Sequence, residues 1–322
     1  MTQIVAMDIG GTHARFALAQ AAPGGIELGE VVKLHTKDFV SIQTAWEEFA
    51  RLNGGTLPAA ASIAIAGPVG DELIRFTNNP WTIRPGAIAA QLGLDRITLI
   101  NDFAAVAHAC ARAPDSDFLH VCGPEGPLPA SGRLSVLGPG TGLGVAHLWR
   151  GAAGDYQVQA TEGGHVDFAP LDAIDDAILA RLRKRHRRVS VERVVSGPAL
   201  VDIYQTLAAL EGRAVAEEDD VTLWQRGTSG ADSLAAAAVD RFCLSLGSFA
   251  GDLALVQGAV GVVIAGGLGY RIRDTLLASG FADRFRAKGR FEKLVSQIPV
   301  KLITHPEPGL FGAAAGFAME HS

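Results

Sequence analysis

Two glycine-rich segments have the composition of phosphate-binding turns. The first reads Asp8-Ile9-Gly10-Gly11-Thr12, and the second reads GPGTGLG from Gly138 to Gly144. Consecutive N–H groups at a tight glycine turn can point into one concavity, where they bind phosphate oxygens. Asp8 is placed to hold a magnesium ion through water, because Mg²⁺ prefers oxygen ligands and keeps several of its waters. Each segment, read alone, is also compatible with an ordinary glycine hairpin.

The common nucleotide-binding motifs do not account for these turns. Neither Gly-Lys-Ser nor Gly-Lys-Thr occurs in the chain, so a Walker A loop is absent. Leu143 stands where the dinucleotide fingerprint needs Gly or Ala. A third glycine pair, Gly266-Gly267, follows an apolar run and would let an adenosine lie close to the backbone. An ordinary strand-to-helix turn is the alternative for this pair.

A candidate general base, Asp102, follows Asn101 where a predicted strand meets a predicted helix. Ligands of α/β proteins gather at the carboxyl ends of such strands. A hydroxyl group is a weak nucleophile until its proton is removed, and a positioned carboxylate can remove it during phosphoryl transfer. Asn101 offers both a donor and an acceptor to a polyhydroxyl ligand. The alternative is that Asp102 only caps its helix.

Four other polar residues suit sugar recognition, and each has a simpler interpretation. Glu162 and His165 lie three apart on a glycine-rich loop, where they could bind a metal or sugar hydroxyls. No further His or Cys lies near enough in sequence to complete a metal site. Glu192 is either a sugar ligand or a carboxylate near a helix cap. Asn78, ahead of Trp81, is either a pocket residue or a turn residue.

The apolar runs predict two copies of one α/β plan: a strand, a glycine turn, antiparallel strands, then alternating helices and strands. Strands are predicted at 3–8, 13–19, 31–36, 61–66 and 97–100, and again at 133–137, 143–149, 156–160, 261–265 and 301–304. Helices are predicted at 41–52, with Ser41 as N-cap, at 102–112, within 171–257, and at 309–319. The length of 322 residues predicts two domains.

Composition narrows the class of protein. A net charge of −6 argues against a nucleic-acid binder, and the basic run from Arg181 to Arg188 is interpreted as a solvated helix end. The three scattered cysteines predict a reducing compartment. The apolar stretch from Phe242 to Gly267 is as long as a membrane span but contains Asp252 and several glycines, which predicts a buried helix followed by a buried strand. Without a signal-peptide pattern, we expect a cytoplasmic protein with no membrane partner.

Together these segments resemble the glucokinase family of Gram-negative bacteria, within the superfamily of hexokinases, actin and heat-shock-chaperone ATPases. The resemblance spans residues 7 to about 316 and is carried in order by DIGGTHARFAL, SIAIAGPV, FTNNPW, LINDFAAVAHA, GPGTGLGVAHL, EGGHVDFAP, VSVERVVSGPAL, GVVIAGGL and PGLFGAAAG.

The resemblance implies a role for each candidate residue. It implies that Asp102 is the base on the sugar 6-hydroxyl and that the sugar pocket is formed by Asn101, Asp102, Glu162, His165 and Glu192, shaped by Gly67 and Asn78. It implies an ATP phosphate site formed by Asp8, Ile9, Gly10, Gly11, Thr12, Gly140, Thr141 and Gly142, with Gly266 and Gly267 at the adenosine.

The resemblance also implies an activity and an architecture. The activity is ATP- and Mg²⁺-dependent phosphorylation of D-glucose to glucose 6-phosphate, which feeds glycolysis, by a homodimer. The fold is a two-domain actin-like ATPase (ribonuclease H-like) fold with a duplicated βββαβαβα plan and a cleft between the domains. The smaller domain would hold residues 1–112 and 305–322, and the larger one residues 113–304 with helical insertions.

One departure and three rival functions complete these expectations. Family members usually carry Asn where this chain has His13. A related sugar-kinase group, which includes repressors, has a cysteine cluster after its sugar histidine, but here no cysteine follows His165 until Cys243. A sugar-responsive regulator would need an N-terminal helix-turn-helix ahead of the first strand, and an actin-like switch would need no sugar pocket. A kinase for mannose or an N-acetylated sugar remains the main alternative.

Overall fold

The computed structural model describes residues 2–22, 24–67, 69, 72–76, 79 and 81–321, so Asn78 lies outside the described residues. The described strands are β1 Thr2–Ile9, β2 His13–Ala22, β3 Gly25–His35, β4 Ala60–Ile65, β5 Ile74–Arg75, β6 Thr82–Ile83, β7 Arg96–Asn101, β8 Phe118–Cys122, β9 Gly132–Pro139, β10 Leu143–Arg150, β11 Tyr156–Thr161, β12 Gly261–Ile264 and β13 Val300–Ile303. The described α-helices are α1 Ile42–Leu52, α2 Pro85–Leu92, α3 Asp102–Arg112, α4 Ala173–Arg183, α5 Ala199–Leu210, α6 Asp220–Ser229, α7 Ser233–Gln257, α8 Gly266–Arg271, α9 Arg273–Ala278, α10 Phe281–Arg286, α11 Glu292–Val295 and α12 Pro308–Glu320.

The chain divides into two compact units. Unit 1 comprises residues 1–114, 158–160 and 305–322, and unit 2 comprises residues 115–157 and 161–304. Unit 1 is built on a five-stranded sheet in the order β3-β2-β1-β4-β7. β1, β4 and β7 are parallel, whereas β2 and β3 are antiparallel to their neighbours. The carboxyl ends of β1 and β7 therefore lie at the same edge of this sheet, the edge where Asp8 and Asn101 stand.

The sheet of unit 1 is buried on both faces. Alternate residues of its central strands pack against α1 and α2 on one face, with Phe16 and Phe49 stacked at a centroid distance of 5.2 Å. The other alternate residues pack against α12. The first helix begins as predicted, because Ser41 and Thr44 exchange side-chain and backbone hydrogen bonds in a capping box.

Small residues bring α3 and α12 into backbone contact. Gly312 lies so close to α3 that an added Cβ would stand 1.7 Å from the carbonyl oxygen of Ala105. Ala64 of β4 and Ala313 join Ala105 in a small buried cluster between these helices and the sheet. The position of α3, and with it of Asp102 at its first residue, therefore depends on the absence of side-chain bulk along α12.

Unit 2 repeats the sheet order of unit 1 and adds one strand. Its six strands run β11-β10-β9-β12-β13-β8, with β8 antiparallel at the added edge. A single large core covers this sheet with α5, α6, α7 and α10. α7 is the one helix of the described residues that is long and apolar enough to cross a membrane by length and composition, and 72% of its most apolar window is buried in the protein. The predicted buried helix followed by a buried strand is thus confirmed by α7 and β12.

The α/β fold with two copies of one strand plan is confirmed, and several local predictions need correction. β3 begins at Gly25, six residues before its predicted start, because its side chains face both the protein and solvent and carry no strong apolar run. β8 and α2 were not predicted from the pattern. Arg181 and Arg185 are not merely solvated, since both pair with Asp202 of α5.

Candidate active site

The first glycine turn joins β1 to β2, and neighbouring residues hold its carbonyl groups. The side-chain amide of Asn79 donates to the Gly10 carbonyl at 3.3 Å. Thr36 holds the next two carbonyls: its hydroxyl donates to Gly11 at 3.0 Å and its N–H donates to Thr12 at 3.1 Å. The C=O and N–H of a trans peptide point in opposite directions. The N–H groups that follow these carbonyls are therefore turned away from Asn79 and Thr36, as a phosphate-binding turn requires.

Asp8 stands at the end of β1, directly across from Arg15 of β2. Arg15 Nη1 lies 3.0 Å from Asp8 Oδ2, and Arg15 Nε lies 3.3 Å from Glu307 Oε2. Burial raises the pKa of Asp8, and Arg15 opposes this effect without cancelling it. Gly309 near the start of α12 makes room for the carboxylate, because a Cβ there would lie 2.7 Å from Asp8 Oδ2. Asp8 is thus a largely buried acid that shares one guanidinium with a second carboxylate.

Asn101 caps α3, and Asp102 is the first residue of the helix. Asn101 Oδ1 accepts the N–H groups of Phe103 at 2.8 Å and Ala104 at 3.1 Å, while its Nδ2 donates to the Gly67 carbonyl at 3.2 Å. Gly67 has φ +125°, a conformation that favours glycine. The cap alternative for Asp102 is therefore wrong, because Asn101 is the N-cap. Asp102 Oδ1 accepts the N–H of Phe103 at 2.8 Å, which fixes the carboxylate at the helix N-terminus.

The second glycine turn joins β9 to β10 and is contacted by two other segments. Within the turn, the Gly140 N–H donates to the Gly142 carbonyl at 2.8 Å. The Gly197 N–H donates to the Gly140 carbonyl at 2.7 Å. Gly266 has φ +85°, and a Cβ there would lie 2.8 Å from the Pro139 carbonyl oxygen. The turn that contains Thr141 is therefore held from the side of β12 as well as from the segment before α5.

Glu192 connects this turn to the sugar-ligand candidates of unit 2. Its Oε2 accepts the Leu143 N–H at 2.9 Å and lies 3.9 Å from His165 Nε2. Glu162 Oε2 lies at the same distance, 3.9 Å, from His165 Nε2. Gly164 permits this arrangement, because a Cβ there would lie 2.2 Å from the Leu143 carbonyl oxygen. The structure thus places two carboxylates and one imidazole together at an exposed position beside the second turn.

Arg188 supports this site and was missed by the sequence interpretation. Its guanidinium pairs with Asp167 and donates to the carbonyl of His165 at 2.6 Å. The residues from 166 to 168 are further tied to the segment before Glu192 by a bridge between Asp167 and Ser190. The position of Arg188 could have indicated a specific partner. It lies beyond the end of α4, where an interaction with the helix dipole no longer explains a cation.

Replacing Glu192 is expected to affect both substrates that the family resemblance implies. Glu192→Ala removes the acceptor of the Leu143 N–H and leaves that donor to water, so we expect kcat/KM for the sugar and for the nucleotide to fall roughly 10- to 100-fold, as for hydrogen bonds to a charged group. Glu192→Gln keeps an acceptor oxygen and should mainly raise the sugar KM. Steady-state kinetics in each substrate make the comparison. The control is Glu125→Ala, since Glu125 is also a glutamate and is exposed. If kcat/KM for both substrates were unchanged in Glu192→Ala, the hydrogen bond between Glu192 and Leu143 would have no role in catalysis or binding.

Comparisons with known proteins identify the family of the chain. A family model described as Glucokinase matches residues 5–320. A glucokinase of Zymomonas mobilis is 56% identical over 321 residues, covering 99% of each chain. The chain belongs to the glucokinase family. Among solved structures, a glucokinase from an Antarctic psychrotroph is 33% identical with a TM-score of 0.86, covering 100% of both chains. A ROK-family glucokinase of Streptomyces griseus, solved with glucose and AMPPNP, has a TM-score of 0.64 at 20% identity, covering 97% of this chain and 98% of that one.

Membership of the glucokinase family confirms the resemblance seen in the sequence and the actin-like ATPase fold. In unit 1 the structure gathers Gly67, Asn101 and Asp102 at the end of β7, and it places Asp8 and the first turn at the end of β1. In unit 2 it gathers Glu162, His165, Glu192 and the second turn.

Proposed function

We propose that this glucokinase-family chain transfers the γ-phosphoryl group of ATP to the 6-hydroxyl of D-glucose. The observation that carries the proposal is the identity of 56% to a glucokinase over almost the whole of both chains. The geometry of each unit supports it, since unit 1 offers a carboxylate at a helix start and unit 2 offers a cluster suited to hydroxyl groups. Phosphoryl transfer needs mainly positioning and charge stabilisation, for which glycine turns and fixed carboxylates are suited.

Asp102 is proposed as the base that accepts the proton of the sugar 6-hydroxyl. Asn101 positions it, because its side-chain oxygen holds the first turn of α3. The Asn101 amide nitrogen carries two hydrogens and gives one to the Gly67 carbonyl, which leaves its second N–H as the donor suited to a sugar hydroxyl. General-base catalysis of this kind contributes roughly 10²–10⁴-fold, or about 3–5 kcal/mol.

The carboxylates of Glu162 and Glu192 are proposed to accept hydrogen bonds from sugar hydroxyls, and His165 to add a donor or acceptor. Carboxylates accept several hydrogen bonds, and those bonds are stronger than bonds between neutral groups. We also propose that Asn78 helps to shape the sugar pocket, as the resemblance implies. Gly266 and Gly267 are proposed to contact the adenosine. Among the described residues, apart from its chain neighbours and its own helix, nothing lies within 4 Å of a Cβ built on Gly267, so the space there supports a close ligand.

Magnesium is proposed as the cofactor bound with ATP. The residues fit this role, because Asp8 is a carboxylate beside a phosphate-type turn and Mg²⁺ is commonly held by one or two carboxylates, substrate phosphates and waters. Asp8 would hold the ion through water, with Arg15 remaining paired to Glu307. When bound there, Mg²⁺ would supply positive charge that offsets the charge on the phosphates. The homodimer and the cytoplasmic location implied by the resemblance are further proposals, tested by light scattering and cell fractionation.

The deciding experiment is turnover of purified protein with ATP, Mg²⁺ and a panel of hexoses. We expect glucose 6-phosphate as the main product, and loss of turnover to background when EDTA exceeds Mg²⁺, with recovery on adding Mg²⁺ back. Mannose and N-acetylated sugars in the panel address the main alternative substrates. Turnover on one of these and none on glucose would overturn the glucose assignment while leaving the sugar-kinase reaction. Slow ATP hydrolysis with no hexose phosphorylated would overturn both.

A further inference from the structure

A group of basic side chains flanks the first glycine turn on one face of the unit 1 sheet. His13 pairs with His35 across β2 and β3, and Arg15 pairs with Lys33 in the same two strands. Residues two apart on a strand, and residues directly opposite on neighbouring strands, project to the same face. His13, Arg15, Lys33 and His35 therefore share a face, and we name them the basic cluster. It is the face that α12 covers farther along these strands.

Two histidines of the basic cluster are in ring contact beside the turn. The imidazoles of His13 and His35 lie 4.3 Å apart between centroids. His13 also accepts the Gly10 N–H through its carbonyl at 2.9 Å, so its backbone is part of the turn. His35 is exposed, while the next residue, Thr36, is buried and holds the turn carbonyls from the other side. His13 directly follows the turn and its carbonyl accepts a turn N–H, so the basic cluster lies next to the turn.

The arginine and the lysine of the basic cluster face two carboxylates. Arg15 pairs with Asp8 and Glu307, and Lys33 acts on the same Glu307 carboxylate. Two cationic side chains thus interact with two carboxylates, one at the end of β1 and one just before α12. Protonation of His13 would add one positive charge to this group beside the turn.

We propose that the donor phosphates bind to His13 in its protonated form, with His35 and Lys33 completing an anion subsite beside the first glycine turn. This inference rests on the proposed function, since it takes ATP as the donor. No group is transferred to the imidazole: the charged N–H donates to a phosphate oxygen, and the proton stays on the ring. Such charge-assisted hydrogen bonds are among the stronger ones in proteins.

Nucleotide binding should then take up protons. In the free protein, burial and then the charges of Lys33, His35 and Arg15 lower the pKa of His13 below its ordinary value. A bound polyanion favours the charged imidazole and raises this pKa again. Affinity for the nucleotide is therefore full below the pKa of the free protein and weakens as the pH rises through the pKa of the complex. Each unit by which the ligand raises the pKa corresponds to a tenfold change in Kd.

The test is the pH dependence of the Kd for Mg²⁺-AMPPNP, measured by calorimetry without sugar. Between pH of about 5.5 and about 8, values that bracket the ordinary histidine pKa, we expect the Kd to weaken about tenfold more in the unsubstituted protein than in His13→Asn. The ligand's own titration is the same in both proteins and cancels in this comparison. His35→Asn should lose part of the dependence, and His186→Asn, in unit 2, should keep all of it.

A proton NMR titration gives a second readout. The His13 imidazole resonance, assigned by its loss in His13→Asn, should titrate at a higher pH after Mg²⁺-AMPPNP is added. An unchanged titration together with equal pH profiles in the two proteins would overturn the inference. Glucose phosphorylation is measured on the same samples. If glucose is phosphorylated but the pH dependence of the Kd is equal in the two proteins, the anion subsite is rejected and the proposed function is kept. An absence of turnover rejects the proposed function, while the binding profiles still decide the role of His13.

Discussion

Asp102→Asn should lower kcat for glucose phosphorylation by roughly 10²–10⁴-fold, which corresponds to about 3–5 kcal/mol of lost transition-state stabilisation. The amide has nearly the same shape as the carboxylate, and its oxygen can still accept the Phe103 N–H that fixes Asp102 at the start of α3. It cannot accept the proton of the sugar hydroxyl. We therefore expect kcat to fall while the dissociation constant for glucose, measured by calorimetry, changes by less than about threefold.

The control for this variant is Asp115→Asn, an exposed aspartate just after α3 in the chain. It makes the same chemical change and should leave kcat within about twofold, since exposed substitutions away from special features have small effects. The assignment of Asp102 would be wrong if its Asn variant kept more than about a tenth of the turnover, a loss below the usual range for general-base catalysis. A loss of glucose binding equal to the loss of kcat/KM would instead make Asp102 a sugar ligand alone.

Gly312→Ala should destabilise unit 1 by about 3 kcal/mol or more. Alanine is favoured over glycine in a helix by about 1 kcal/mol, so the substitution would be mildly stabilising at a site with room. Here the new Cβ would stand 1.7 Å from the Ala105 carbonyl oxygen and 3.0 Å from the Ala109 nitrogen. Both are backbone atoms, which cannot turn aside as a side chain can. The helices must separate, and overpacking of this kind outweighs the propensity gain.

Thermal unfolding measures this effect, with a fall of roughly 2–4 °C in Tm expected for each kcal/mol lost. Gly86→Ala in α2 is the matched control. In the part of the chain that the structure describes, nothing outside its chain neighbours and its own helix lies within 4 Å of a Cβ built there, and its φ lies outside the positive range in which a side chain is strained. That variant should be neutral or slightly more stable. Since α3 begins at Asp102, we also expect Gly312→Ala to lower kcat at temperatures where the protein remains folded. Equal melting temperatures for the two variants would show that α3 and α12 separate at little cost.

Local sequence determined much of the secondary structure of this protein. The helix 102–112 was predicted with the bounds that the structure has, and Ser41 caps α1 as predicted. These features depend on neighbours within four residues: a side chain that can cap, an apolar period and a terminating residue. The alternation of strands and helices also predicted two copies of one strand plan, and both large sheets have that plan.

The family and the candidate residues were also accessible from sequence, because glycine turns and their flanking acids are contiguous in the chain. The glycine pair after β1 and the Glu-Gly-Gly-His loop each keep their chemistry within a few residues. Only the tertiary structure shows which of these segments support one another. Glu192 accepts the Leu143 N–H across 49 residues of chain, and Arg188 reaches back to Asp167.

The same holds for the residues whose role is to leave space or to position others. Gly309 admits the Asp8 carboxylate, and Gly312 admits α3, although nothing in their neighbouring residues indicates it. Asn101 caps its helix in place of Asp102, and the basic cluster forms only when β2 and β3 pair in register. Backbone propensity and apolar period act over a few residues and can be read from the sequence. Distances between atoms far apart in the chain are set by how the sheets and helices pack, so only the tertiary structure decided them.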